Sequence, residues 1–331
     1  MTTRLAGVAG GGLAGLAALE RVGVTDRVAP LTALGLVAPY AYAPAWLALG
    51  SAVRQRRWSA AVVAGLACAH HVDVIARTSG RRWASPAPLP SAGDELLSVR
   101  SANALSCNLD PLGWAAAVLR DPADVLIVQE LTPSALRALE HHGVTKCYEH
   151  RVALLDTRSA GMGLFTSLSL QPVEVFNAGY PAIKARIEVA DRAVTVIGVH
   201  AVAPTDRPRV RNWWRSFDAI AEAVAGVDGP LVVAGDWNAT LHHRPLRQFL
   251  DRTGLADAHV TAGRGWARSW PAPGHPGVFG RVPSIALLDR VVVSRDVAVV
   301  SISELLVPGT DHRQVDATLS FSSVRGAPAR R

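Results

Sequence analysis

Cysteine is scarce in this sequence of 331 residues, which contains only Cys68, Cys107 and Cys147. Three scattered cysteines are too few for a disulfide framework or a zinc site. One bridge between Cys107 and Cys147 stays open for a domain outside the cell, although their spacing gives it little support. Internal repeats and low-complexity segments are absent too, so nothing indicates a repeat protein or a disordered chain.

Lysine is nearly absent as well, because it occurs only at Lys146 and Lys184. The formal charge of +7 therefore comes almost wholly from arginine. A basic balance allows an anionic partner, such as phosphorylated lipid headgroups or nucleic acid, and does not choose between them. Loops beside a membrane carry the same kind of charge.

Charged residues are sparse before residue 85, where clusters of them separate three apolar stretches at residues 5–19, 28–53 and 58–72. The second stretch is long enough to span a bilayer. We expect a membrane region over residues 1–82 with three transmembrane helices. Two spans or a helical bundle outside the membrane are the alternatives, whereas a signal peptide fits poorly because the longest apolar run comes second.

Basic loops predict the orientation of this region. Arg4 precedes the first apolar stretch, and Arg54, Arg56 and Arg57 lie between the second and the third. Because basic loops tend to stay in the cytoplasm, both of these loops are predicted to be cytoplasmic. The third span then delivers the rest of the chain to the outer face of the cell membrane. Arg77, Arg81 and Arg82 favour the opposite orientation.

After the predicted membrane region, the pattern of apolar and polar residues resembles that of an α/β domain. Residues 83–93 are rich in proline and serine and predict a linker, residues 94–322 form the domain, and residues 323–331 form a basic tail. Apolar runs predict strands at 97–103, 124–129, 194–200, 230–235, 286–294 and 315–321. Helices are expected between them, at 112–120, 133–141 and 210–225.

Polar residues lie at corresponding places at the ends of these strands. They are Asn103, Glu130, His200, Asp236, Asn238, Asp289, Asp311 and His312. In open α/β sheets, ligand sites gather in the crevice at strand termini. Each residue alone has an ordinary explanation as a turn residue, a helix cap or a core histidine, but the joint set indicates one site.

The chemistry that suits this set is metal-assisted attack of water on a phosphate ester. Mg²⁺ prefers carboxylate oxygens, which Glu130 and Asp311 can supply, with Asn103 nearby to hold a phosphate or a metal-bound water. Asp236 can orient and deprotonate the attacking water, while Asn238 fixes a non-bridging oxygen.

A second unit of the set is a histidine with its own carboxylate. Asp289 is the candidate that holds the tautomer of His312 and favours its protonated form. A cationic His312 would stabilise the charged transition state. His200 completes the catalytic group.

In this order and spacing, the residues resemble the endonuclease/exonuclease/phosphatase superfamily over residues 95–322. The segments GDWN, TDH, LLDR and IVQE are similar to its motifs around Asp236, Asp311, Asp289 and Glu130. The resemblance implies a four-layer sandwich, in which two packed β-sheets are flanked by helices. It also implies phosphoesterase activity with Mg²⁺ or Mn²⁺.

Three positions depart from that pattern. Arg290 stands where many relatives have histidine, Gln314 where they often have proline, and Ser167 lacks the arginine that often follows. The departures leave the metal chemistry intact and put substrate recognition in doubt.

The layout of membrane helices before such a domain resembles a bacterial subgroup related to a glycopeptide-resistance membrane protein. That resemblance implies an outward-facing catalytic domain and a lipid-carrier pyrophosphate, such as undecaprenyl pyrophosphate, as substrate.

Two stretches could contact the substrate. Residues 205–216 combine four arginines with two tryptophans, and Arg207 and Arg211 are the candidates for phosphate binding. Residues 263–274 contain Trp270, a candidate for a pocket wall. Solvated arginines and packed tryptophans explain both stretches as well.

Three functions remain in view. The first is a membrane-anchored phosphoesterase acting on a lipid-linked phosphate, the second a surface-tethered nuclease, and the third a non-catalytic binding protein. The complete set of acid and imidazole residues disfavours the third. A lipid substrate would be presented at the anchor, whereas an anchor limits the reach of a nuclease, so the first is preferred. No protein partner is inferred.

Overall fold

A computed structural model describes residues 3–79, 81–87, 94–274 and 279–321. The predicted basic tail at 323–331, and most of the linker at 83–93, lie outside these residues. Four helices come first: α1 (Thr3–Arg21), α2 (Ala29–Ala41), α3 (Pro44–Arg54) and α4 (Trp58–Thr78). The helices α1, α3 and α4 pack against one another as a bundle, and α2 lies beside it.

The helices α2 and α3 meet at an angle of 59°. Pro44 begins α3, and because proline has no N–H and restricts the residue before it, α2 cannot continue straight into α3. Within the described residues, α4 alone is long and apolar enough to cross a membrane, and the bent pair adds a second candidate if it counts as one span. Three spans therefore stay a prediction.

A buried polar cluster joins the helices of the bundle. The Glu20 carboxylate accepts hydrogen bonds from the Tyr42 hydroxyl at 3.1 Å and from Arg77 Nη1 at 2.8 Å. His70 Nε2 lies 3.1 Å from the same carboxylate. Arg77 also pairs with Asp73, so its guanidinium links two acidic side chains. These contacts bring the ends of α1 and α4 together next to the following domain.

That domain contains two mixed six-stranded sheets packed face to face. The first has the order β11-β12-β1-β2-β4-β3 and the second β5-β6-β7-β8-β10-β9. The strands of the first half of the chain are β1 (Glu95–Asn103), β2 (Val125–Gln129), β3 (His150–Leu154), β4 (Met162–Thr166), β5 (Leu170–Asn177) and β6 (Pro181–Val189). The others are β7 (Arg192–His200), β8 (Leu231–Asp236), β9 (Ala256–Asp257), β10 (Asp289–Val293), β11 (Val297–Leu305) and β12 (Gln314–Phe321).

Helices cover the outer face of each sheet. They are α5 (Pro111–Val118), α6 (Pro133–His141), α7 (Val144–Cys147), α8 (Arg207–Val224), α9 (Arg244–Thr253) and α10 (Ala258–Thr261). The alternation of side chains along a strand explains the layers. In β8, Val232 and Ala234 enter the core between the sheets, while Leu231 and Val233 pack outward against α8 and α9. The expected two sheets flanked by helices are confirmed.

All six predicted strands are present, as β1, β2, β7, β8, β10 and β12. The three predicted helices correspond to α5, α6 and α8. Cys107 and Cys147 are both free, so the disulfide left open by the sequence does not form.

Strand pairing places the predicted polar ends side by side. The parallel pair β7 and β8 sets His200 opposite Asp236, and the antiparallel pair β8 and β10 sets Asp289 opposite Asp236 on its other side. In the first sheet, the parallel pair β1 and β2 sets Asn103 opposite Gln129, one residue before Glu130. The carboxyl ends of four strands thus meet at one edge of the sandwich.

Candidate active site

The strand ends open into a cavity of about 460 Å³. Seven of the eight polar strand-end residues lie in one cluster around it: Glu130, His200, Asp236, Asn238, Asp311 and His312 line its surface, and Asp289 lies directly behind His312. The eighth, Asn103, contacts two of them. The six distant segments that carry these residues therefore converge on one space.

Asp236 is at the centre of this cluster and is buried. Its Oδ2 atom accepts a hydrogen bond from Asn103 Nδ2 at 3.2 Å, and its Oδ1 atom accepts one from the backbone N–H of Asn238 at 2.8 Å. The Nε2 atoms of His200 and His312 each lie 3.7 Å from Asp236 Oδ2. Burial is the main cause that raises the pKa of Asp236, and the Asp289 carboxylate adds to it against the two histidines.

His312 and Asp289 form a buried ion pair, in which His312 Nδ1 donates to Asp289 Oδ2 at 2.8 Å. Burial alone would lower the pKa of His312, but the carboxylates of Asp289 and Asp236 outweigh it and raise that pKa well above the usual value. Ser269 Oγ accepts the backbone N–H of Asp289 at 3.1 Å, which fixes the strand entry. The imidazole is thus held as a cation whose Nε2–H points toward Asp236.

Glu130 follows β2 with φ of +55°, a conformation that few non-glycine residues adopt. This turn directs its carboxylate back over the strand end, where Oε2 accepts the backbone N–H of Ser106 at 2.8 Å. Burial opposes ionisation, but His200 and the Ser106 hydrogen bonds lower the pKa of Glu130 overall. The group is therefore an anion at neutral pH.

Asp311 is the second carboxylate at the cavity wall. Its Oδ2 atom accepts a hydrogen bond from Trp270 Nε1 at 3.0 Å, while its buried Oδ1 atom accepts no hydrogen bond in the described part of the chain and lies 3.9 Å from His312 Nε2. A buried carboxylate oxygen without a donor is costly unless a cation faces it. The donor set of Glu130, Asp311 and the Asn103 amide oxygen therefore fits a hard divalent cation.

Asp236, Asp289 and His312 also offer ligand atoms within 4.8 Å of one another. His312 Nδ1 in this triad is already engaged by Asp289, and a protonated imidazole cannot ligate a metal. The triad therefore suits proton transfer better than metal binding.

The three residues that were predicted to bind substrate do not all line the cavity. Trp270 lines the cavity, whereas Arg207 and Arg211 are exposed on α8 and do not line it. Arg209, which the sequence did not single out, lies at the cavity wall, with its Nη1 atom 3.3 Å from the Tyr180 hydroxyl. Asp206 accepts the N–H of Arg209 as the cap of α8, and this start of the helix sets which arginine faces inward.

Arg290 lies outside the cavity. Its buried guanidinium pairs with Asp257 and donates to the Leu287 carbonyl at 3.2 Å. The arginine at this position therefore serves the packing of β10 against β9.

One wall of the cavity comes from the N-terminal helices, which the sequence did not indicate. Its residues belong to α2: Ala29, Thr32, Ala33 and Leu36. They approach the strand ends from the side opposite the sheets. The N-terminal helices and the domain therefore share one cavity.

The sequence model of the endonuclease/exonuclease/phosphatase family matches residues 101–312. Solved structures share the fold. A crystal structure of D. rerio TDP2 complexed with single strand DNA product is 16% identical, with a TM-score of 0.56 over 68% of this chain and 99% of that chain. An endonuclease/exonuclease/phosphatase from Beutenbergia cavernae is 18% identical, with a TM-score of 0.53 over 71% of this chain and 73% of that one.

The human Nocturnin catalytic domain with bound sulfate anion is 17% identical, with a TM-score of 0.54 over 69% of this chain and 95% of that one. Identities this low establish a likeness in fold alone. No curated protein matches the chain in sequence.

Proposed function

The chain belongs to the endonuclease/exonuclease/phosphatase family, and we propose that it is a divalent-metal-dependent phosphoesterase, anchored in a membrane, that hydrolyses a lipid-linked phosphate ester or pyrophosphate. The observation that carries the proposal is the convergence of Glu130, Asp236, Asp311 and His312 on one cavity. Carboxylates for a metal, a base for water and a cationic imidazole are the groups that this hydrolysis requires.

Glu130, Asp311 and Asn103 would hold the metal, which neutralises charge on the phosphoryl oxygens when bound. Mg²⁺ is the expected ion, with Mn²⁺ as the substitute. Asp236 accepts the proton of the attacking water, and its raised pKa makes it a stronger base than an exposed aspartate. Asn103 and Asn238 keep its carboxylate in place through their hydrogen bonds.

The cationic side chains act on the phosphate. His312 Nε2–H donates to a phosphoryl oxygen as negative charge develops there, and Asp289 keeps the ring protonated. Asn238 Nδ2 donates to the Ala201 carbonyl at 2.9 Å and, over a longer distance of 3.4 Å, to Asp236 Oδ2, and this second hydrogen is the one that a non-bridging oxygen of the substrate would take. The guanidinium of Arg209 at the cavity wall suits the distal charge of the substrate.

The position of the helices supports an outward orientation of the domain. Arg54, Arg56 and Arg57 are exposed at the start of α4, whereas Thr78 at its end contacts His242 of the domain. A helix of 21 residues is about 30 Å long, enough to separate the two ends by a bilayer. Under the positive-inside rule these exposed arginines favour an extracytoplasmic domain, whereas Arg77, Arg81 and Arg82 favour the opposite orientation.

A nuclease remains the second candidate, because exposed arginines extend from the cavity along α8 as a basic surface: Arg207, Arg211 and Arg215. Such a surface could follow a nucleic acid backbone. The helix α2 at the other side of the cavity has no charged side chain, which favours the lipid substrate.

Purified full-length protein tests the proposal with Mg²⁺ and three substrates, namely undecaprenyl pyrophosphate, a phospholipid diester and plasmid DNA. We expect Mg²⁺-dependent release of phosphate from a lipid substrate, abolished by EDTA and restored by excess Mg²⁺. Rapid DNA cleavage without lipid turnover would establish the nuclease instead. Turnover that persists after complete chelation would contradict the metal-dependent mechanism.

A further inference from the structure

We propose that α2 is a specificity-determining wall of the active-site cavity, which accommodates an apolar chain attached to the phosphate. We further propose that the turn at residues 240–243, which we call the seat, holds this wall beside Asp236. The inference rests on the proposed phosphoesterase function and adds to it the part of the molecule that distinguishes a long-chain substrate from a short one.

The surface that α2 presents to the cavity is apolar. Ala29, Ala33 and Leu36 contribute only aliphatic groups, and Ala33 is exposed there. Thr32 is the one polar side chain of this wall, and its hydroxyl already donates to the Ala29 carbonyl at 2.6 Å. The carboxylates of the cavity and the Arg209 guanidinium belong to the strand ends and α8, opposite this wall. A ligand that satisfies both sides therefore has a phosphate at the strand ends and an apolar chain along α2.

A proline in α2 leaves one backbone carbonyl of that helix free to accept a hydrogen bond from the seat. In a helix, the carbonyl of Gly35 would accept the N–H of residue 39, but Pro39 has none. Thr240 Oγ1 donates to that carbonyl at 2.8 Å instead. The hydroxyl comes from the loop that carries Asp236 and Asn238, so the wall is attached to the same loop as the proposed base.

His243 provides the second contact of the seat, and its tautomer follows from its partners. Its Nδ1 atom accepts the backbone N–H of Thr240 at 2.9 Å, so the proton is on Nε2, which donates to the Thr32 carbonyl at 2.9 Å. A Cβ atom at Gly35 would come within 2.3 Å of this Nε2 atom. Glycine is therefore required where α2 meets the imidazole.

A third contact anchors the chain ahead of α2. Asp26 Oδ2 accepts the backbone N–H of Arg244, and the Asp26 carbonyl accepts Trp214 Nε1 at 2.8 Å. With the seat, these bonds hold the chain at Asp26, ahead of α2, and the helix itself at Thr32 and Gly35. The wall is thus fixed to the domain and does not depend on the bilayer for its position.

Two esters with the same leaving group test the inference, namely hexadecyl and methyl 4-nitrophenyl phosphate, in the same detergent micelles with Mg²⁺. We expect full-length protein to have a higher kcat/KM for the hexadecyl ester, and Ala33→Trp to lower the ratio of the two kcat/KM values at least tenfold. Leu47→Trp is the matched control, because Leu47 is 73% exposed on α3 and away from the cavity, and its ratio should not change.

Thr240→Val tests the seat, since valine keeps the shape and removes the hydroxyl. We expect its KM for the hexadecyl ester to rise at least fivefold, with a smaller effect on its kcat. An unchanged ratio in Ala33→Trp would overturn the inference while leaving the phosphoesterase intact. Absence of Mg²⁺-dependent turnover of both esters by the unaltered protein would instead refute the proposed function, and the inference with it.

Discussion

Asp236 combines burial, four polar neighbours and a position at the end of β8. Its two oxygens have distinct surroundings, because Oδ1 is held by a backbone N–H while Oδ2 faces Asn103 and two imidazoles. A water that attacks a phosphate in the cavity would lose its proton to Oδ2. The residue is thus the most direct place to test the chemistry.

Asp236→Asn replaces this carboxylate by an amide of the same size that cannot accept the proton. We expect kcat for the best substrate to fall by about 10² to 10⁴, the range of general-base contributions. The thermal midpoint should fall moderately, because the amide keeps the size of the side chain and the bond from the Asn238 N–H but replaces the acceptor of Asn103 Nδ2 by a donor. A variant with more than a tenth of the original kcat would remove Asp236 from the mechanism.

Asp289→Asn removes the carboxylate that keeps His312 charged. The pKa of His312 is raised in the folded protein, so activity that needs the cation is retained at neutral pH and lost as pH rises through that pKa. Without Asp289 the pKa falls, and the alkaline limb of the kcat/KM profile should move to lower pH. Asp228→Asn, in an exposed loop, is the control that should leave the profile in place.

At the scale of elements, the approach of β7 to β8 decides the distance from His200 to Asp236. Gly235 of β8 pairs with Val199 of β7 and has φ of +154°, and a Cβ there would come within 1.8 Å of the Val199 carbonyl oxygen. Any other residue would push the strands apart. The glycine of the GDWN segment is therefore part of the site geometry.

Gly235→Ala should lower the free energy of unfolding by about 2 kcal/mol or more, because backbone has to move to admit the methyl group. Its kcat should fall as well, since Asp236 moves with the strand. Denaturant titration and turnover measure the two effects. Gly15→Ala, at an open position of α1, is expected to preserve both.

Most elements predicted from sequence have a continuous apolar run, although β11 begins with such a run and was not predicted. The apolar run of β8 ends at a carboxylate, and this pattern indicates both the strand and the site. The strand β5 is mostly exposed and has no such run, so nothing marked it. Arg209 was one of the four arginines of residues 205–216 but was not chosen, because the start of α8, which Asp206 caps, decides which arginine faces the cavity. The α2 wall was missed because an apolar stretch does not show which distant loop it contacts.

At the scale of the whole molecule, the interface between the helices and the domain contains two buried histidines. Burial lowers the pKa of His242 to about 3, and it also lowers that of His243. His242 Nε2 lies 3.3 Å from Thr78 Oγ1, at the end of α4. Both rings are therefore neutral in the folded chain and take up protons only when the interface opens.

Stability should therefore decrease in acid. Between pH 6.5 and about 3 the unfolded chain binds a proton at His242 that the folded chain does not, so folding weakens as pH falls. The slope is about 1.4 kcal/mol per pH unit for each such proton. Across this pH range, the thermal midpoint of His242→Gln should fall less steeply with decreasing pH than that of the unaltered protein. The exposed His141→Gln should retain the original slope.

The shared wall also bears on how such proteins could be recombined. An exchange of residues 1–82 for an unrelated segment would leave the cavity of the domain open on one side. The N-terminal helices and the domain are then not interchangeable modules, because part of the cavity wall is encoded in the helices.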